Sequence, residues 1–185
     1  MLNSEWQKMI REKKLERIVE ESDGAEIIIP ACNHHDFLFR YLEEKQFINE
    51  PHNIYVASKI LPHVIDGRDP VEVGISLFYD IPNNVRFLSR HEDYKTVGWQ
   101  IGVHGDKGSN GGRASINSRE SAYGKSITGH SHTPEILRNT FVVGTSTKLR
   151  LGYNTGPCSW MNTNGLLYET GKVQLVNIVD GEWKK

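Results

Sequence analysis

A short β-branched run that leads through a tight loop into a helix constrains the fold of this chain most. The run Glu26–Pro30 holds three consecutive isoleucines and is typical of a strand buried on both faces. The loop Ala31–His35 follows, and the residues from Asp36 to about Glu44 are predicted to form a helix. In open α/β sheets ligands bind at the carboxyl ends of strands, so Asn33 and His34 become candidate site residues.

The rest of the chain continues as α/β and becomes β-rich towards its end. Residues 45–80 carry three prolines and predict an irregular or helical insertion. A helix is predicted from about Arg113 to Tyr123. The segments that predict strands are Val85–Leu88, Lys95–Val103, Lys125–Gly129, Thr140–Thr145 paired with Lys148–Leu151, and a hairpin of Leu166–Tyr168 with Lys172–Val179.

Two histidines two residues apart follow one of these predicted strands, in the sequence Gly129-His130-Ser131-His132-Thr133. Alternate residues of an extended strand point to the same side, so both imidazoles are expected to face one point, uncovered by other side chains. Neutral imidazoles are common ligands of transition metals. A surface His-x-His with no ligand is the alternative reading of this pair alone.

His104 follows a second predicted strand in the same way, directly after Val103. Three histidines at the ends of two strands predict a shared site, which Asn33 and His34 complete. An asparagine oxygen can ligate a metal without adding negative charge. A histidine can donate a proton to a departing alkoxide, since its ordinary pKa lies near neutrality. His35 is expected either to play a structural part or to support a ligand without binding the metal itself.

Composition excludes several classes of protein. The chain has 185 residues, 22 Lys and Arg against 23 Asp and Glu, and a net charge of −1, which argues against a charge-driven nucleic-acid coat. No run approaches the ~20 apolar residues of a membrane helix, so no membrane partner is expected. Two cysteines cannot form a disulfide framework, which favours the cytoplasm.

The aromatic and basic residues of the second half have simpler interpretations than a role in binding. Aromatic side chains there are expected in the core and in strand pairs rather than as base-stacking platforms: Trp99, Tyr153, Trp160, Tyr168 and Trp183. The basic residues are expected to be solvated rather than to contact phosphate: Arg113, Arg119, Arg138, Lys148 and Arg150.

The series Asn33-His34, His104 and Gly129-His130-Ser131-His132 resembles the later motifs of the calcineurin-like metallophosphoesterases. Within that family the strongest resemblance is to the early DNA-degradation phosphoesterases of T5-type tailed phages. It rests on Arg40–Glu44, on the loop after His104, on Gly129–Pro134 and on the long segment Lys148–Met161. The host cytoplasm is then the expected location.

The resemblance implies a fold and a set of roles. The fold class is α/β (α+β), the C-terminal portion of a two-sheet metallophosphoesterase sandwich with flanking helices. We expect one N-terminally incomplete domain over residues 1–185, with a leading helix in 1–24 and the family-like region in 25–185. Asn33, His104 and His130 would ligate one metal, His132 would ligate the other, and His34 would protonate the leaving group. The expected ion is Mn²⁺, with Zn²⁺, Fe²⁺ and Mg²⁺ as alternatives.

Two motifs of the family are absent from this sequence. No aspartate is followed two positions later by histidine, and the one Gly-Asp pair, Gly105-Asp106, lacks the second aspartate of Gly-Asp-x-x-Asp. Three hypotheses therefore stay open. The chain is a phosphodiesterase, acting on substrates such as DNA, that needs an N-terminal half-domain supplying both motifs. It is a catalytically inactive remnant or a binding and regulatory module with at most one metal. Or it is a mononuclear hydrolase.

The leading helix bears on the partner hypothesis. A helix is predicted from Ser4 to about Ser22, with Gly24 just past its end. Its apolar residues fall on two opposite sides, around Trp6 and around Ile18. Either this helix breaks near Lys13, or the face around Trp6 docks against the missing half-domain.

Overall fold

The computed structural model describes residues 14–90 and 92–183, which divide into two compact units, Met1–His91 and Glu92–Lys185. The confirmed fold class is mixed α/β, with helices concentrated in the first unit and strands in the second. The metallophosphoesterase sandwich and the single domain over 1–185 stay predictions. None of the helices formed by the described residues is long and apolar enough to cross a bilayer.

The first unit is a small helical assembly beside two parallel strands. Its helices are α1 (Lys14–Glu21), α2 (Asn33–Glu43), α3 (Pro51–Ile65) and α4 (Pro70–Ser76), with a 3₁₀ turn at Gln46–Asn49. Strands β1 (Ile27–Ile29) and β2 (Val85–Phe87) pair in parallel. Of the two alternatives predicted for residues 45–80, irregular or helical, the structure shows the helical one. The face around Trp6 and the break near Lys13 lie outside the described residues.

The core of the first unit comes from apolar side chains of three helices. These side chains are Leu38, Tyr41 and Leu42 of α2, Ala57 and Ile60 of α3, and Val71, Val73 and Ile75 of α4. Helix α4 begins where the sequence provides a cap: the Asp69 carboxylate accepts hydrogen bonds from the backbone N–H groups of Val71 and Glu72, and Pro70 occupies the first helical position.

Two predictions about β1 and its loop were wrong. All three isoleucines of β1 are half-buried rather than buried on both faces. Helix α2 begins at Asn33, so Asn33, His34 and His35 belong to its first turn and not to a loop. Cys32 precedes the helix with an extended backbone, and the His35 ring turns back towards it, which allows helical geometry to begin three residues earlier than predicted.

The second unit is built on a mixed five-stranded sheet in the order β3-β4-β5-β7-β6. The strands are β3 (Lys95–Thr96), β4 (Trp99–Gln100), β5 (Ser126–Thr128), β6 (Glu135–Leu137) and β7 (Thr140–Val142). Strands β4, β5 and β7 run in parallel, while β3 and β6 are antiparallel to their neighbours. Helix α5 (Ile116–Tyr123) precedes β5, and a 3₁₀ turn lies at Ser109–Gly111.

An antiparallel three-stranded sheet completes the second unit. It contains β8 (Thr163–Leu167), β9 (Val173–Val179) and β10 (Glu182–Trp183). The predicted hairpin around residues 169–171 is thereby confirmed. Lys148–Leu151, predicted as a strand paired with Thr140–Thr145, is not a strand, because β7 pairs with β6 and β5 instead.

The predicted long strand before His104 is also different. Val97 (φ +51°) and Gly98 (φ +76°) form a tight turn that divides Lys95–Val103 into the hairpin β3–β4. The strand ends at Gln100, four residues before His104. The backbone from Ile101 onward is irregular, so His104 is presented by a loop and not directly by a strand.

Candidate functional site in the second unit

Two of the predicted ligands, His104 and His130, lie side by side in the second unit. His104 Nε2 and His130 Nδ1 are 3.2 Å apart, and the ring centroids are 5.1 Å apart with the planes at 81°. The backbone brings them together, because the Gly129 N–H donates to the His104 carbonyl over 2.9 Å, just beyond the end of β5. Both side chains are half-buried.

This separation suits two ligands of one ion. Two nitrogens bound to one transition metal at about 2.1 Å lie roughly 3.0–3.4 Å apart, depending on the coordination geometry. A hydrogen bond between two neutral imidazoles has a similar length, with one nitrogen protonated. The pair can therefore hold a metal or share a proton. Among residues 14–90 and 92–183, no three His, Cys, Asp or Glu side chains are grouped as a metal site.

The backbone of residues 129–133, which we call the histidine turn, is not the extended strand assumed for the two facing imidazoles. His130 (φ +73°) and His132 (φ +60°) are both left-handed, a conformation that costs a non-glycine residue about 1–3 kcal/mol. The Ser131 N–H donates to the Gly129 carbonyl, and the Met161 N–H donates to the His132 carbonyl over 3.1 Å, which holds the turn. Two strained residues separated by a single residue, Ser131, are a common sign of a functional site.

His132 contacts the ring of Trp160, a residue that the sequence predicted to lie in the core or in a strand pair. The ring centroids of His132 and Trp160 are 4.2 Å apart in an edge-to-face arrangement. Tyr153 lies next to Trp160, at 6.0 Å between ring centroids. The expectation that nothing covers the imidazoles was wrong for His132. The expectation of core or strand positions was wrong for Trp160 and Tyr153, which lie in no strand.

A buried arginine supports the loop that carries His104. Arg119 of α5 is 1% exposed, and its Nε donates to the Gly105 carbonyl over 2.9 Å. Burial lowers the pKa of this guanidinium, against the opposing charges of Glu135, Tyr123 and Asp106. The prediction of a solvated Arg119 was therefore wrong. No local sequence signal marks this burial, since an arginine in a polar helix normally faces water.

Gly105 is the position where helix, strand and loop meet. Its φ of +93° favours glycine, and a Cβ there would lie 2.7 Å from the Thr128 Cβ and 3.3 Å from the Arg119 Nε. The loop therefore packs against β5 and α5 with no room for a side chain. This close approach positions the residue before it, His104, next to His130.

Asn33, His34 and His35 belong to the first unit and form the first turn of α2. Asn33 Oδ1 is buried and has no hydrogen-bond partner among the described residues. His34 Nδ1 lies 3.6 Å from the Cys32 thiol. His35 is buried, and its Nδ1 accepts the Cys32 N–H, which fits the structural part predicted for it. Burial lowers the pKa of His35. The predicted convergence of Asn33 and His34 with the histidine turn stays a prediction.

Comparison with known proteins gives one relative and no family assignment. The chain is 27% identical over 178 residues to "Protein A1" of Escherichia phage T5, in an alignment that covers 90% of this chain and 32% of that protein. The chain thus spans about a third of the length of this relative. It is similar to a protein of a T5-type phage, as the sequence resemblance predicts. No protein-family profile matches the chain, and no solved structure does.

Proposed function

We propose that this chain is a metal-dependent phosphoesterase of calcineurin-like type that acts on phosphodiesters such as DNA. The observation that carries the proposal is the 3.2 Å separation of His104 Nε2 and His130 Nδ1 on a strained turn at the end of β5. That separation fits two ligands of one ion. The similarity to a T5 phage protein supports the same proposal, since the sequence resemblance is to phage phosphoesterases of this type.

The roles of the site residues are those that the family resemblance implies. His104, His130 and Asn33 would hold one divalent ion, Mn²⁺ or one of the alternatives Zn²⁺, Fe²⁺ and Mg²⁺, and His132 would hold a second. The buried Asn33 Oδ1 supports its part, because an oxygen without a hydrogen-bond partner is satisfied by a cation. Bound ions polarise phosphoryl oxygens and lower the pKa of water. His34 would donate the proton that the leaving alcohol needs.

The two absent motifs set the condition under which this site works. Asp-x-His and Gly-Asp-x-x-Asp supply the bridging carboxylate that offsets the repulsion between two cations ~4 Å apart. A polypeptide carrying both motifs would complete the centre. The chain would then be one part of a split phosphodiesterase.

The alternative is a non-catalytic binding or regulatory module, and one observation favours it. The described residues contain no group of three His, Cys, Asp or Glu side chains arranged for a metal. A pair of histidines with a shared proton would then have a structural part only, as a link between the loop of His104 and β5.

The test measures metal binding and turnover separately. The chain is stripped with a chelator, titrated with Mn²⁺ under electron paramagnetic resonance, and assayed with bis(p-nitrophenyl) phosphate. His130→Ala removes one proposed ligand, and His52→Ala removes an exposed histidine of α3 as the matched control. We expect Mn²⁺ affinity to fall at least tenfold in His130→Ala and to stay unchanged in His52→Ala.

The turnover assay separates the three hypotheses. Hydrolysis that appears only after mixing with a polypeptide carrying both absent motifs supports the split enzyme. Hydrolysis by the isolated chain that disappears in His130→Ala supports a mononuclear hydrolase. A chain that binds no Mn²⁺ and hydrolyses nothing, alone or mixed, overturns the phosphoesterase proposal and leaves the binding module.

A further inference from the structure

A loop in the second unit carries an aromatic pair, the half-buried Trp160 and the exposed Tyr153, next to the histidine turn. We call residues 148–161 the aromatic loop. Trp160 packs edge-to-face on His132 at 4.2 Å between centroids, and Tyr153 packs on Trp160 at 6.0 Å. Tyr153 is 69% exposed, so its ring remains accessible to a ligand. The three rings form a continuous path from the proposed metal ligand outward to solvent.

The aromatic loop is held in shape by its own polar contacts although it contains no strand. Arg150 Nη1 donates to the Gly156 carbonyl over 2.6 Å. The Asn154 side chain accepts the Leu151 N–H over 2.6 Å and donates to the Leu149 carbonyl over 2.8 Å. An asparagine used in this way fixes the backbone of a loop as a turn does. Tyr153 therefore projects from a fixed backbone.

The same loop is joined to the histidine turn at two points. The Met161 N–H donates to the His132 carbonyl over 3.1 Å. The hydroxyls of Thr133 and Ser159 lie 2.8 Å apart and share a hydrogen bond. These contacts tie the position of the aromatic pair to that of His132. A ligand that reaches the histidines therefore meets the aromatic pair as well.

We propose that Tyr153 and Trp160 form a stacking platform for a nucleobase next to the phosphodiester that the histidine turn receives. The inference rests on the proposed function and names its substrate class as single-stranded nucleic acid. Single strands present unpaired base faces, and aromatic side chains bind such faces with little regard to sequence. The ammonium group of Lys148, exposed on the same loop, adds a charge suited to a neighbouring phosphate.

Base-dependent binding is the property that tests this platform. The probes are a fluorescein-labelled single-stranded 12-mer and an abasic 12-mer with the same sugar–phosphate charge, measured by fluorescence anisotropy without metal. Stacking on one aromatic side chain contributes a factor of roughly 5 to 150 in affinity. We expect the full chain to bind the base-containing strand about tenfold tighter than the abasic one. That preference should disappear in Tyr153→Ala.

The matched control is Tyr168→Ala. Tyr168 is a partly exposed tyrosine of the same unit. It follows Leu167, the last residue of β8, whereas Met161 lies before the first residue of that strand. Trp160→Phe is a second, milder test that keeps an aromatic ring against His132, and its base preference should fall only in part. Tyr153→Ala leaves phosphate contacts in place, so the dependence of affinity on salt should match that of the unchanged chain.

The outcomes separate the platform from the proposed activity. Equal affinity for both strands, no binding of either, or an equal loss in Tyr153→Ala and Tyr168→Ala would overturn the platform, whether or not the chain hydrolyses phosphodiesters. A preference for bases that disappears in Tyr153→Ala supports the platform even where the Mn²⁺ assay shows no turnover. In that case the chain binds single strands without cutting them.

Discussion

Replacing Gly105 by alanine should destabilise the second unit more than any ordinary surface substitution. The added Cβ would lie 2.7 Å from the Thr128 Cβ and 2.9 Å from its hydroxyl, on a backbone with φ +93°. The left-handed conformation costs an L-residue about 1–2 kcal/mol. Forcing a methyl group into a packed contact costs about 1–3 kcal/mol more. The expected loss in the free energy of unfolding is therefore about 2–5 kcal/mol.

Two other glycines of the same loop separate these contributions. Gly111 has a φ of +72° and open space where a Cβ would point, so Gly111→Ala should cost only the backbone part, about 1–2 kcal/mol. Gly108 has an ordinary φ of −110°, but its Cβ would collide with the Ser118 side chain. Gly108→Ala should therefore cost only the contact part, about 1–3 kcal/mol.

Urea unfolding followed by tryptophan fluorescence measures these losses. Trp99, Trp160 and Trp183 lie in the second unit, and the fourth tryptophan, Trp6, is outside the described residues. With an m value of about 2 kcal/mol/M in urea, a loss of 2–5 kcal/mol lowers the urea midpoint by about 1–2.5 M. A Gly105→Ala chain that unfolds at the same midpoint as Gly111→Ala would refute the close approach of Thr128, and with it the account of how His104 is positioned.

Three further predictions concern other parts of the fold. Asp69→Ala should lower the free energy of unfolding by about 0.5–2 kcal/mol, measured by far-ultraviolet circular dichroism, because two N–H groups at the start of α4 lose their acceptor. Burial, helped by a hydrogen bond to Glu50, raises the pKa of Tyr41 to about 12, so stability should fall from pH 10 to 12, and less steeply in Tyr41→Phe. Gly144→Ala should fail to fold stably, because its Cβ would overlap the Met161 carbonyl, whereas Gly152→Ala, with open space around it, should fold normally.

Much of the first unit follows from local chemistry that the sequence displays. Asp69 and Pro70 mark the start of α4, Gly24 follows α1 with a φ of +79°, and three isoleucines form β1. Caps, prolines and β-branched runs act within a few residues, so their effects can be read without knowing the fold. The predicted length of the loop before α2 was wrong. The contact between Cys32 and His35 that caps the helix involves residue types that rarely cap helices.

The sequence alone identified which histidines are candidate site residues. Only the tertiary structure determined which of them lie in contact and in what geometry. His104 and His130 are 26 residues apart, and their contact depends on the parallel pairing of β4 with β5 and on the Gly129 N–H bond to the His104 carbonyl. The left-handed turn at His130, the burial of Arg119 and the packing of Trp160 on His132 likewise depend on distant partners. Local propensity does not predict such contacts, because the free energy that selects them comes from strand pairing and packing between segments far apart in the chain.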